Sequence, residues 1–253
     1  MAFEARIAAG LGVPIICGGD GKNLAASLAR AMAAGCGGLI SFGVAGGLAP
    51  ELKPGTCVIG SAILDAAAER PTDARWAQRL MRIIPGAVYG PIAGVREPIA
   101  HAAAKRTLHQ QTGAIAVDME SHVVADAAAR HGVPVAAIRV VIDPAERTIP
   151  RSALAGTRAD GTIDTLAILR SLMRYPRDLI GLIQMSLDAR AARATLVRGS
   201  GLLGPGLGLL DAPVSNGVRG RQAPSRLLVR SSAGLPAGRH RTGGDARGIA
   251  VGL

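Results

Sequence analysis

Three carboxylates close two short apolar runs of this chain. Ala114–Val117 leads into Asp118, Met119 and Glu120, and Val140–Ile142 leads into Asp143 and Pro144. Between them lies one helix length, Glu120 to Arg130, closed by His131, Gly132, Val133 and Pro134. Strand, helix and strand at that spacing predict a parallel βαβ unit. The acids then stand at the carboxyl ends of neighbouring strands, where open α/β sheets bind ligands. Pro144 keeps Asp143 out of helical geometry. In a partly dry site the Asp143 pKa rises, so it holds a proton near neutral pH and can serve as a general acid. Glu120, in the first turn of its helix, suits acceptance of both hydrogen bonds of a vicinal diol, with Met119 as an apolar wall beside it. Plainer roles compete: a turn or helix cap for Asp143, a partner of the helix dipole for Glu120.

Elements must position these acids. Val13–Cys17 and Leu39–Phe42 read as buried strands, Lys22–Ala34 as an alanine-rich helix, and Thr56–Leu64 as a longer strand. Asp73–Ile84, His101–Gln111, Asp164–Arg174 and Arg177–Val197 read as helices, and Ala87–Tyr89 as a strand. This alternation predicts an α/β fold with a mostly parallel sheet. Two glycine-rich turns follow strands: Gly18–Lys22, which opens a helix, and Ser41–Gly47. Such turns expose backbone N–H groups and can cradle an anion. Ser41–Gly47 carries no dinucleotide or P-loop fingerprint.

The totals narrow the field. With 253 residues, one catalytic domain over 1–198 and a Gly/Arg/Pro-rich tail over 199–253 are expected, the tail disordered by composition. Net charge is +11, but the stretch from Pro213 onward carries seven arginines against Asp245 alone. With aromatics at 2% there are no stacking platforms, so nucleic acid is not an expected partner. Cys17, Cys36 and Cys57 lack metal-ligand spacing and read as reduced thiols. The histidines at 101, 109, 122, 131 and 240 likewise pair with nothing at ligand spacing, so no metal is expected.

In combination, four segments resemble the purine nucleoside phosphorylase and nucleosidase superfamily over about residues 3–195. Gly18–Lys22 is similar to the first glycine turn of methylthioadenosine nucleosidases. Ser41–Pro50, followed by Leu52–Gly55, is similar to the anion and ribose loop. Ala114–Glu120 resembles the ribose-binding Val-Glu-Met-Glu motif, with Asp118 for the first Glu. Val140–Asp143 resembles a strand ending in Ser-Asp, with Ile142 for Ser. Within the superfamily the likeness is greatest to the hopanoid-associated phosphorylases, through Val117–His122, Arg139–Ala145 and Leu203–Gly208.

The resemblance implies a three-layer α/β/α fold with a mixed, mostly parallel central sheet, and removal of adenine from adenosylhopane. It implies that Glu120, with Asp118, holds the ribose hydroxyls, that Met119 packs on the sugar, and that Asp143 protonates the purine at N7. Gly19, Ser41, Gly43, Val44 and Gly46 then face the attacking phosphate or water, and the Gly90–Ile99 segment, ending at Ile99, walls the base. Glu4 is the candidate second acid. No cofactor is implied beyond inorganic phosphate as a co-substrate. The implied partners are a lipid-linked nucleoside and further copies of the chain in a homo-oligomer. The implied place is the cytoplasm, with peripheral contact at the inner membrane surface. Ser41 and Val44 stand where phosphorolytic members often carry Arg and Ser, which leaves phosphorolysis and hydrolysis both open, with Arg6 and Arg139 as alternative sources of charge. The family's first strand is missing before Phe3. Two rivals remain: a methylthioadenosine or adenosylhomocysteine nucleosidase, and an inactive truncated paralogue.

Overall fold

The computed structural model describes residues 4, 6–7, 13–17, 21–156, 164–203, 207, 209 and 248–252. Its elements are β1 (Ile15–Cys17), α1 (Gly21–Ala33), β2 (Gly38–Gly47), β3 (Cys57–Leu64), β4 (Glu69–Pro71), α2 (Ala74–Ile83), β5 (Val88–Gly94) and α3 (Ala102–Thr112). There follow β6 (Ala116–Asp118), α4 (Ser121–His131), β7 (Val135–Asp143), α5 (Arg151–Ala155), α6 (Thr165–Arg174), α7 (Asp178–Leu203) and β8 (Gly248–Gly252).

The central strands are apolar on both faces because helices cover both. Along β2, Leu39 packs with Leu24, Leu28 and Met32 of α1 and Val124 of α4. The next residue, Ile40, points the other way with Phe42 and Val44, against Trp76 and Leu80 of α2 and Leu196 of α7. This is the period-two alternation of a strand, and it gives three layers, helix, sheet and helix. The sheet is mixed and mostly parallel: β2–β7, β2–β8, β1–β8, β3–β5 and β5–β6 are parallel, whereas β2–β6, β3–β4 and β3–β7 are antiparallel.

Three expectations need correction. First, β6 and β7 are not neighbours and do not form a parallel pair. β2 lies between them, parallel to β7 and antiparallel to β6. The three-residue β6 touches β2 only at Gly46 and Gly47, beyond a register shift between Ala45 and Gly46. Strands β2, β7, β3, β5 and β6 thereby close a ring, and the short β6 completes it. Second, Ser41–Gly47 is not a loop but the greater part of β2. Third, the tail is not uniformly irregular. Helix α7 runs through the 198/199 boundary to Leu203, and Gly248–Gly252 forms β8, parallel between β1 and β2. The sheet beside β2 is thus filled from the far end of the chain. Residues 211–247 lie outside the described residues.

Candidate active site

The acids of the sequence gather around an arginine. Arg139 comes from the middle of β7, in register with Gly43 of β2, and is 1% exposed. Its Nη2 donates to Ser41 Oγ at 2.6 Å and to Ser121 Oγ at 3.1 Å, and Nη1 reaches the Val44 carbonyl at 3.5 Å. Asp118, at the end of β6, forms an ion pair with Arg139 and accepts from the Ser121 hydroxyl and backbone N–H. Its oxygens are committed to holding Arg139 and the first turn of α4. On the other side of Arg139, Glu4 accepts from the Val44 N–H at 2.9 Å. The anion that meets the β2 backbone here is the chain's own carboxylate. Burial raises the Glu4 pKa, and the Arg139 charge opposes the rise.

Gly43 makes this arrangement possible. A Cβ there would lie 2.6 Å from Arg139 Nη1 and 2.8 Å from Glu4 Oε1. Gly43→Ala is therefore expected to push both side chains away and to cost about 1–3 kcal/mol by overpacking. Urea denaturation monitored by far-UV circular dichroism measures this, and an unchanged midpoint contradicts the placement.

Glu120 is the N-cap residue of α4 but makes no side-chain capping bond. Its Oε2 is buried with no hydrogen-bond partner among the described residues. Burial is the largest cause pushing its pKa up to about 7. The Arg139 charge pulls the other way, and the Asp118 and Glu4 carboxylates push it up further. Leaving a buried polar oxygen unpaired is costly, so the site is built to receive a donor.

Asp143 ends β7 where the strand carries its irregularity: Ala45 pairs with Val141, but Gly46 pairs with Asp143, leaving Ile142 as the extra residue. Such a bulge re-aims the side chain that follows. Gly46 is in register with both Val117 and Asp143, so β2 brings the ends of β6 and β7 together although they do not pair. A Cβ at Gly46 would lie 3.3 Å from an Asp143 carboxylate oxygen. Asp143 is paired with Lys105 of α3, whose side chain is almost wholly buried. Lys105 Nζ also donates to the carbonyls of Pro144 at 3.0 Å and Arg147 at 3.1 Å. Burial raises the Asp143 pKa and the Lys105 ammonium opposes it. Burial thus favours the protonated carboxyl that a general acid needs, and the Lys105 ammonium favours the ionised form.

A family model described as the phosphorylase superfamily matches residues 3–166. The chain belongs to the phosphorylase superfamily. As a member it is an enzyme of nucleoside cleavage. The fold is also similar to solved structures. The methylthioadenosine/adenosylhomocysteine nucleosidase of Helicobacter pylori is 17% identical, with 70% of this chain and 74% of that chain covered and a TM-score of 0.49. The S-adenosylhomocysteine nucleosidase of Streptococcus pyogenes is 15% identical, covering 69% and 73%, with a TM-score of 0.45. A mutant of the futalosine hydrolase of Helicobacter pylori strain 26695 is 19% identical, covering 48% and 65%, with a TM-score of 0.46. No curated protein matches the chain.

In this candidate site, Ser41, Gly43, Val44, Asp118, Glu120 and Glu4 lie together around Arg139. Gly46 and Asp143 stand one step along the same strands. Met119 is 41% exposed beside Glu120, and Ile99 packs, half-buried, against the cluster of Leu48, Ala93 and Val117. Gly19 lies outside the described residues. Of the two arginines weighed as charge sources, Arg6 is exposed and Arg139 is the one in the site. Lys105 and Ser121 were not anticipated. A cavity of about 540 Å³, lined by Pro54–Cys57, Ile84–Gly86 and residues of α7, shares no residue with this cluster.

Proposed function

We propose that the protein cleaves the N-glycosidic bond of an adenine nucleoside, with Glu120 on the ribose and Asp143 on the base. The observation that carries this reading is the buried Glu120 oxygen beside Arg139, which has no partner among the described residues. A sugar diol supplies the missing donors. As the C1′–N9 bond breaks, the bond's electron pair goes to the base, and Asp143 delivers its proton to N7. Glu120 then stabilises the positive charge developing on the sugar. Water attacks C1′ and gives up its proton to Glu4. Water is the nucleophile we favour, because the Arg139 guanidinium that could hold a phosphate is already paired with Asp118.

The substrate we favour is adenosylhopane, a lipid-linked nucleoside, on the strength of the Val117–His122, Arg139–Ala145 and Leu203–Gly208 segments. Incubating the protein with adenosylhopane and with methylthioadenosine, each with and without phosphate, and measuring free adenine tests the whole reading. Adenine from adenosylhopane without phosphate supports it. Adenine only with phosphate moves the enzyme to phosphorolysis, and no adenine from either substrate rejects it.

Glu120→Gln keeps the shape and removes the charge. It is expected to lower kcat/KM by about 1.5–3 kcal/mol, or ~10–150-fold, as for a hydrogen bond to a charged group. Because the wild-type carboxyl titrates near 7, raised from 4.5, nucleoside affinity is expected to rise with pH through that value in wild type and to stay flat in the variant. Stability runs the other way. A raised acid pKa means the unfolded state releases its proton first, so wild type loses stability relative to Glu120→Gln as pH climbs from about 4.5 to about 7. Binding isotherms and urea melts across this range check both signs.

A further inference from the structure

Among the described residues, two stripes of large apolar side chains stand exposed, one on α6 and one on the first half of α7. Helix α6 contains no buried residue, and the buried residues of α7, Ala192, Leu196 and Leu203, all lie in its second half. On α6, Leu166, Leu169 and Met173 recur at helical spacing and are 54%, 56% and 82% exposed. On α7, Ile180, Ile183 and Leu187 do the same, at 68%, 54% and 56%. A groove of about 380 Å³ opens between Leu182, Ile183, Ser186, Leu187 and Arg190. Exposed apolar stripes of this kind mark an interaction surface.

Its charge selects the occupant. The exposed arginines at 170, 174, 177, 190 and 193 sit among these apolar residues, and among the described residues no carboxylate pairs with them. The acids of the same two helices are turned to other work. Asp164 caps Ala167, Asp178 accepts from Ser152, and Asp188 is paired with Arg147. The face is therefore apolar and cationic without compensation. A two-fold pairing with a second copy would set these arginines against one another. Leu, Ile and Met flanked by Arg on these two helices match an anionic bilayer, where the apolar side chains enter the headgroup boundary and the guanidiniums meet lipid phosphate. Among the described residues no helix is long and apolar enough to cross a membrane, so the contact is peripheral.

The face is also tied to the reaction site. Residues 144–150 connect Asp143 directly to α5. Lys105 holds the Pro144 and Arg147 carbonyls, Arg147 pairs with Asp188 of α7, and Ser152 bonds Asp178 at the start of α7. We propose that the α6–α7 face docks the enzyme on an anionic membrane surface, at the side of the domain where Asp143 lies. This does not depend on the chemistry proposed above, because vesicle binding is measured without turnover.

The test is sedimentation of the full chain with vesicles of phosphatidylcholine alone or mixed with phosphatidylglycerol. Binding to the mixed vesicles is expected. Ile180→Glu/Ile183→Glu, and separately Arg170→Gln/Arg174→Gln, are each expected to weaken it by about tenfold or more. All four positions are exposed, so melting temperatures should hold, and a melting curve is run on each variant. The arginines past Pro213 can bind anionic lipid by themselves, so the helix variants decide. Binding that both variants leave unchanged overturns the proposal, as does absence of binding. A concentration-dependent oligomer that Ile180→Glu/Ile183→Glu dissolves, without vesicle binding, assigns the face to a second copy instead.

Discussion

Asp143→Asn is expected to reduce adenine release by about 10²–10⁴-fold, the usual contribution of a positioned general acid. Asn keeps an oxygen for Lys105 but has no proton to give to N7. The structure adds a second effect that the strand-end position alone does not suggest. Asp143 is the charge partner of a buried lysine, and removing one member of such a pair costs about 3–5 kcal/mol. The variant is therefore expected to melt earlier, so its rate must be read at a temperature where circular dichroism shows it folded. A nitrophenyl riboside separates the two effects. Its leaving group departs without protonation, so the folded variant should cleave it at close to the wild-type rate. Equal losses on adenine nucleoside and nitrophenyl riboside would show that Asp143 serves the architecture and not the base.

The second large effect is expected at Lys105. Lys105→Met fills similar space but leaves the Asp143 carboxyl buried without its ammonium and takes the donor from two carbonyls. A stability loss of about 3–5 kcal/mol is expected near neutral pH. Its pH dependence identifies the cause. In the variant the Asp143 pKa lies further above its unfolded value than in wild type, because the opposing charge is gone. The unfolded chain then ionises first as pH rises, so the deficit is smallest below the usual aspartate range and grows above it. Urea melts from acid to neutral pH measure this, and a deficit independent of pH would mean that Lys105 contributes packing alone. In activity, the acidic group seen in the pH–rate profile should titrate higher than in wild type. Lys105→Arg, which restores the charge, should return it part of the way.

Much of the fold was legible in the sequence because its signals are local. Asp73 caps α2 by accepting from the Trp76 N–H, and Gly113 and Gly132 end α3 and α4 in left-handed geometry. Such punctuation fixes element boundaries within a residue or two. The boundary of α7 was missed because Gly199 and Gly201 read as breakers, yet the helix continues through them to Leu203. Strand β2 was cut short for the same reason. Its glycines look like a loop, but Gly43 and Gly46 are there to let Arg139, Glu4 and Asp143 approach the strand.

The site divides in a similar way. An arginine inside the otherwise apolar run Val135–Val141 is a signal that the sequence offers, and its four-residue spacing from Asp143 ties both to one strand. Lys105 gives no such signal, since a lysine in an alanine-rich helix ordinarily faces water. Only the packing of α3 against the end of β7 makes it an ion-pair partner.

By itself, the sequence determined the α/β class, the order of the longer strands and helices, and the candidate acids Glu120 and Asp143. These follow from hydrophobic period and turn chemistry, which act over a few residues. Tertiary structure decided what those acids meet. Ring closure put β2 between β6 and β7, and register set Arg139 over Gly43. Burial left a Glu120 oxygen without a partner among the described residues. Pairings between strands far apart in the chain depend on how the whole sheet closes, and no local pattern encodes that.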